Sequence, residues 1–201
     1  MENEKKIIIP VVTPLTKNFK LDKGAVEKIF EHLYKHNSLP FILGTTGEAT
    51  SLSLDLKMKY IKRAGKLKKK GTTLYAGISS NCLEESIEFA GYCFDQGADA
   101  VVATLPSYYA LTELQMKQYF IILADLIAAP LIIYNIPATT HMSIPLSVID
   151  ELSHHPHIIA IKDSERSDER LQQSLTLWKD RTDFSHSLGW AARSVPALFS
   201  G

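Results

Sequence analysis

Ile158-Ile159-Ala160-Ile161-Lys162-Asp163 is the stretch on which the fold turns. Four apolar residues follow one another without alternation, so neither face of this segment suits water. That is the pattern of a parallel strand covered on both sides. A lysine and an aspartate close it, and Ser164 follows.

The same kind of run recurs on both sides of it. Residues 7–12, 41–44, 73–78, 100–105 and 131–135 read as further buried strands, and 184–188 as a seventh, interrupted by Ser185, His186 and Ser187. Helical patterns lie between them. Val26, Ile29, Phe30 and Leu33 form an i, i+3, i+4, i+7 stripe, and Leu83, Ile87, Ala90 and Phe94 form another, with Gly97 as its C-cap. Thr112 with Gln115 predicts a capping box. Ser143-Ile144-Pro145 is expected to open the fifth helix, and Ser167 or Asp168 the sixth.

Strands recur every roughly 26–33 residues, the length of one βα unit. Strict alternation leaves an open doubly wound sheet or a closed barrel. A dinucleotide-binding sheet calls for a glycine-rich turn after its first strand, where this chain has Thr13-Pro14-Leu15-Thr16. The even repeat favours the barrel. The expectation is an α/β fold, a (β/α)8 TIM barrel in which residues 1–201 form a single domain that stops before its eighth strand. A closed barrel takes eight strands and about 250 residues, whereas here a seventh helix would be ending at Phe199-Ser200-Gly201. Strands one and seven would then keep unpaired edges.

Composition narrows the partners. Of 201 residues, 45% are hydrophobic and 22% charged, and 22 basic side chains balance 22 acidic ones. Zero formal charge gives no reason to expect nucleic acid or an anionic membrane. The lysines of 66–70 read as a solvated helix end. Cys82 and Cys93 share one helical segment and match no metal or redox spacing, so they are expected as free thiols in a reducing cytoplasm. The apolar run at 7–12 is too short for a signal peptide, and Asp125 and Pro130 break the longest apolar region, 119–136, into a helix end and a strand rather than a membrane span. His154, His155 and His157 precede strand six and are expected to have no accompanying carboxylate or cysteine, which favours a solvated loop over a metal site. No metal and no cofactor is expected.

In a barrel of this kind the chemistry sits at the C-terminal strand ends. Those ends carry Gly44-Thr45-Thr46-Gly47-Glu48, Pro106-Ser107-Tyr108-Tyr109, Tyr134-Asn135-Ile136-Pro137 and Lys162-Asp163-Ser164. A lysine at the mouth of a buried strand is costly to keep charged. Burial lowers such an amine from about 10.4, and a neutral amine attacks carbonyls. The alternative is a lysine that ends a strand and reaches water or Asp163. Tyr134 could pass protons at a carbinolamine, or be a core tyrosine with a satisfied hydroxyl. Gly44 and Gly47 let the backbone approach a ligand whose carboxylate Thr45 and Thr46 could hold, or the segment is a plain turn. Glu48 reads as a cap or loop anchor.

Together these motifs resemble the dihydrodipicolinate synthase / N-acetylneuraminate lyase family, class I pyruvate-dependent aldolases, in order and spacing along nearly the whole chain. The resemblance implies that Lys162 forms a Schiff base with pyruvate or another 2-keto acid and that Tyr134 is the general acid/base. It implies that Thr45 joins the relay and, with Gly44 and Thr46, binds the keto-acid carboxylate. Tyr108 matches the tyrosine that family members lend across a subunit interface, which implies a homo-oligomer, dimer or tetramer. An aldehyde is the second substrate. In members that make dihydrodipicolinate an arginine follows the Tyr-Asn-x-Pro turn, and here Thr139 takes that place. Loss of that bidentate clamp favours a hydroxylated, sugar-acid type of 2-keto acid over the lysine-pathway synthase reaction. A truncated, non-catalytic binding or oligomerisation module is the alternative from another class.

Overall fold

The structure, a computed structural model, describes residues 7–195 and 197. The chain divides into two compact units, the chain up to Ile78 with Glu85–Val102, and Ser79–Glu84 with the chain from Ala103 onward.

In the first unit, strands β1 (Ile7–Pro10), β2 (Ser38–Ile42), β3 (Tyr75–Gly77) and β4 (Ala100–Ala103) pair in chain order, all parallel. Helices α1 (Lys23–Lys35), α2 (Leu54–Leu67) and α3 (Leu83–Asp95) connect them. Asp22 caps α1 by accepting from the Ala25 N–H, and Ser53 caps α2 by accepting from Leu56; each satisfies a donor that the first turn leaves over. Gly97, at φ +97°, ends α3 as expected, with its N–H on the Phe94 carbonyl. Phe30, Phe41, Ile42, Tyr60 and Leu74 are fully buried in this unit.

In the second unit, β5 (Leu131–Asn135), β6 (Ile158–Asp163) and β7 (Ser185–Leu188) are again parallel and in chain order. Helices α4 (Glu113–Ile127), the single turn α5 (Pro137–Thr140), α6 (Leu146–Leu152) and α7 (Asp168–Trp178) accompany them. The Thr112–Gln115 capping box forms as expected, and Ser167 caps α7 by accepting from Arg170. Phe120, Leu123, Leu131, Ile133 and Ile144 are fully buried, and Trp178 packs edge-on to Phe184. At about 1.5–3 kcal/mol for each such side chain, burial is the main term holding either unit together.

Several boundaries differ from the sequence reading. β2 starts at Ser38 and runs through Pro40. Pro40 pairs with Ile9 on one side, while pairing with β3 begins only at Phe41, so the missing N–H costs no ladder bond there. The strand stops at Ile42 because Leu43 turns to φ +58°. Ser143 does not open α6, whose N-cap is Pro145; its hydroxyl donates to Glu165 instead. Cys82 lies just before α3, and Cys93 is buried within it. Of the lysine cluster only Lys66 belongs to α2, whereas Lys68 binds Asp99 and Lys69 stands over the Tyr34 ring. A carboxylate does accompany the histidines: His155 Nε2 lies 3.0 Å from Asp125. The helix end expected at Phe199-Ser200-Gly201 lies outside the described residues.

Candidate active site

The segment after β2 turns twice. Thr45–Gly47 and Ala49–Ser51 are 3-10 turns joined by Glu48, itself left-handed at φ +52°. Gly47 donates to the Gly44 carbonyl and Glu48 to that of Thr45, while the Thr13 hydroxyl donates to the Gly47 carbonyl at 2.7 Å. Gly44 lies against the Phe41 ring, where an added Cβ would come within 2.8 Å. Gly77 lets β3 end against this turn, since a Cβ there would sit 2.0 Å from the Leu43 carbonyl oxygen. Thr45, Thr46 and Glu48 are exposed, so the turn offers hydroxyl groups on a backbone that Thr13 anchors. Sequence reasoning gave Thr13 no such role, because its partner lies 34 residues away.

The other expected residues belong to the second unit. Tyr134 is buried on β5 and Lys162 half-buried on β6, and the two are register partners. The Lys162 amine stands 3.8 Å from the Tyr134 ring centroid. Their pairing depends on an irregularity at the start of the strands. Leu131 pairs with Ile158 but Ile132 pairs with Ala160, so β6 runs one residue ahead and Lys162 rather than Ile161 meets Tyr134.

Asn135 and Asp163, one residue further along, also pair. Both are buried, and the Asn135 amide donates to Asp163 at 2.9 Å and to Glu165 at 3.0 Å. Arg170 Nε donates to the other Asp163 oxygen at 2.7 Å. Both polar residues stand in the quoted motifs, yet their roles arise from partners on other elements, and the only local signal was a buried-strand pattern ending on polar residues.

After β7, Gly189 donates to the Asp163 carbonyl, and a Cβ at Gly189 would meet the Ser164 Oγ at 2.0 Å. On β7, burial pushes the His186 imidazole below its ordinary value, with Asp163 opposing and Arg170 adding to the shift. Tyr108 and Tyr109 are exposed, with their rings edge-to-face at 4.9 Å. Thr139, in the single turn α5, is exposed, and its hydroxyl donates to the Ile136 carbonyl at 3.3 Å. The structure thus brings Lys162 and Tyr134 together, holds Thr139 on the loop that follows β5, and presents Tyr108 outward. Among the described residues no cluster of three or more His, Cys, Asp or Glu could hold a metal, and no helix is long and apolar enough to cross a membrane.

Residues 3–185 match the model of the dihydrodipicolinate synthetase family. A 4-hydroxy-tetrahydrodipicolinate synthase of Acidiphilium cryptum is 30% identical over 158 residues, 78% of this chain and 54% of the relative. The enzyme of that name from Leuconostoc mesenteroides is 32% identical over 160 residues, 79% of this chain and 56% of the relative. The chain therefore spans little more than half the length of these curated relatives. Among solved structures, dihydrodipicolinate synthase of Bacteroides thetaiotaomicron superposes with a TM-score of 0.92 at 32% identity, covering 98% of this chain and 66% of that one. A prophage protein of the dihydrodipicolinic acid synthase family from E. coli K12, solved in complex with pyruvate, gives 0.93 at 26%, covering 99% and 68%. The fold class is accordingly the α/β TIM barrel expected from the sequence, with seven parallel strands among the described residues.

Proposed function

The chain belongs to the dihydrodipicolinate synthetase family, and from that premise we propose that it is a class I aldolase, a carbon–carbon lyase whose Lys162 forms a Schiff base with pyruvate. The observation that carries this reading is the Lys162 amine 3.8 Å from the centre of the Tyr134 ring. The amine adds to the C2 carbonyl of pyruvate, and the carbinolamine loses water as protons pass through the phenol. The protonated imine withdraws electrons, so loss of a proton from C3 gives an enamine. That carbon attacks the aldehyde, or in reverse the bond breaks. The imine is the electron sink, so the scheme calls on no metal or cofactor. Gly44, Thr45 and Thr46 hold the keto-acid carboxylate, with Thr45 also in the proton relay.

For the second substrate, the names of the curated relatives support the 4-hydroxy-tetrahydrodipicolinate synthase reaction. A second reading is a hydroxylated, sugar-acid type of 2-keto acid, favoured by Thr139 standing where the resemblance calls for an arginine. Tyr108 completes the relay from another subunit of a homo-oligomer, dimer or tetramer, and its exposure beside Tyr109 supports that. Residues 1–201 belong to a single barrel domain of a cytoplasmic protein, in keeping with two free thiols and balanced charge.

Borohydride trapping with pyruvate, read by intact and peptide mass spectrometry, tests the reading. A reduced pyruvyl adduct on Lys162 is expected. A folded chain that takes up no adduct, while a longer relative labels in parallel, would sink it and leave a non-catalytic binding or oligomerisation module. Pyruvate release from a panel of hydroxylated 2-keto acids then separates the two substrate readings.

A further inference from the structure

Neighbouring residues of a strand share a peptide bond and point to opposite faces. Whatever fixes Asn135 and Asp163 therefore fixes the backbone that aims Tyr134 and Lys162. Asn135 is 1% exposed and Asp163 4%. A buried carboxylate is strongly unfavourable unless it is paired and hydrogen-bonded. Here Asp163 is fully engaged: Oδ2 takes Arg170 Nε, and Oδ1 takes the Asn135 amide and the Glu165 N–H at 3.0 Å.

Asn135 has one orientation that satisfies it. Its Nδ2 donates to Asp163 and Glu165, and its Oδ1 accepts from the Ile144 N–H at 3.1 Å. A flipped amide would set donor against donor at Ile144 and acceptor against carboxylate at Asp163. Arg170 Nη2 donates to the Ile144 carbonyl at 2.9 Å, so the Ile144 backbone is gripped at both its N–H and its C=O. The Ser143 hydroxyl adds a bond to Glu165 at 2.6 Å. The ends of β5 and β6, the first turn of α7 and the loop that follows Thr139 are thus joined by one network.

An apolar filling would hold these elements at equal or lower cost, because replacing a buried ion pair by packed hydrophobic groups is often neutral or stabilising. What such a filling lacks is direction. Resting on the Schiff-base reading, we propose that Asn135, Asp163 and Arg170 are positioning residues for imine formation: they set the aim of Lys162 and Tyr134 and the station of the Thr139 loop without touching substrate. Because they act on orientation, they govern the rate at saturation rather than the affinity for pyruvate.

The test uses the full chain and pyruvate, with timed borohydride quenches over a concentration series. It yields a limiting rate and a half-saturation concentration for the unsubstituted chain and for Arg170→Met, Arg170→Lys, Asp163→Asn and the double variant Asp163→Asn/Arg170→Met. Circular dichroism and thermal melts give the folded fraction. Arg170→Met is expected to lower the limiting rate about tenfold to a hundredfold, with half-saturation held within about twofold. Arg170→Lys keeps the charge but not the fork and falls in between. The double variant is no slower than the slower single one, because both remove the same contact. If the unsubstituted chain takes no label, the Schiff-base reading falls and this proposal with it. If that chain labels and the folded variants label at the same limiting rate, the network alone is refuted. A smaller labelled fraction at an unchanged rate marks a merely structural role and also refutes it. Should Arg170→Met not fold, Arg170→Lys decides by the same criterion.

Discussion

Tyr134 and Lys162 face each other across β5 and β6 only because the pairing of those strands slips by one residue between Leu131 and Ile132. In a regular ladder from Leu131 and Ile158, Tyr134 would meet Ile161. A one-residue shift moves a side chain to the opposite face of the sheet, so the slip decides whether amine and phenol meet at all. It brings the amine within 3.8 Å of the ring centre.

Removing only the phenol oxygen separates packing from proton transfer. Tyr134→Phe keeps the ring under Lys162 and is expected to slow pyruvyl-adduct formation by about 10²–10⁴-fold, the range for a lost general acid/base. Stability should change by only about 1 kcal/mol, the net worth of one hydrogen bond. Timed borohydride quenches and a thermal melt check both. Lys162→Arg should take no label. A Tyr134→Phe chain that labels at the parent rate would remove the phenol from the relay.

Strands β2, β4 and β5 were legible because every residue in them is buried, which calls for an unbroken apolar run such as Leu131-Ile132-Ile133, whereas β1 and β7, also read as buried, are half-buried and begin on an exposed residue. Local signals were equally plain, as at the Thr112–Gln115 box and the Ser167 cap. Interactions between elements were not. Ser143 has the chemistry of a helix cap, but Glu165, 22 residues on, takes its hydroxyl. Asp163 could be read as the carboxylate beside Lys162, yet Arg170 and Asn135 hold it. The strand slip has no residue signature, since any of the isoleucines at 158, 159 or 161 could be the extra one.

Gly189 is where a single methyl should be felt. Its Cβ would lie 2.0 Å from the Ser164 Oγ and 3.0 Å from its Cβ, beside the Asp163 carbonyl that the Gly189 N–H binds. Gly189→Ala is expected to destabilise the chain by about 1–3 kcal/mol, the cost of overpacking. Ser164→Ala removes the nearer atom and should recover part of that loss in the double variant. Urea unfolding of the four chains gives the answer. Strictly additive effects would mean that Ser164 is not what the new methyl meets.

The two thiols should differ sharply in reactivity. Cys93 is fully buried in α3, and burial pushes its thiol up to about 12, so thiolate and access are both lacking. Cys82 is half-buried ahead of that helix. Iodoacetamide at neutral pH should alkylate Cys82 in the native chain and Cys93 only once urea unfolds it. Peptide mapping at intervals distinguishes them, and native labelling of Cys93 at the Cys82 rate would contradict its burial.

His186 gives a pH signature. Its ring packs 5.7 Å from that of Trp178, and its Nε2 is buried without a hydrogen-bond partner among the described residues. Burial lowers its folded-state value below the ordinary 6.5, the Asp163 carboxylate opposes this, and the Arg170 cation adds to it. The unfolded chain therefore binds the proton first as pH falls. Stability from the neutral ring is complete above 6.5 and is lost as the pH falls from there through the folded-state value. His186→Leu keeps the apolar contact and cannot titrate. Urea unfolding from pH 7.5 down to about pH 5 should show the parent losing stability relative to this variant across that window. Parallel losses in the two chains would mean that His186 takes up its proton in the folded state as readily as in the unfolded one.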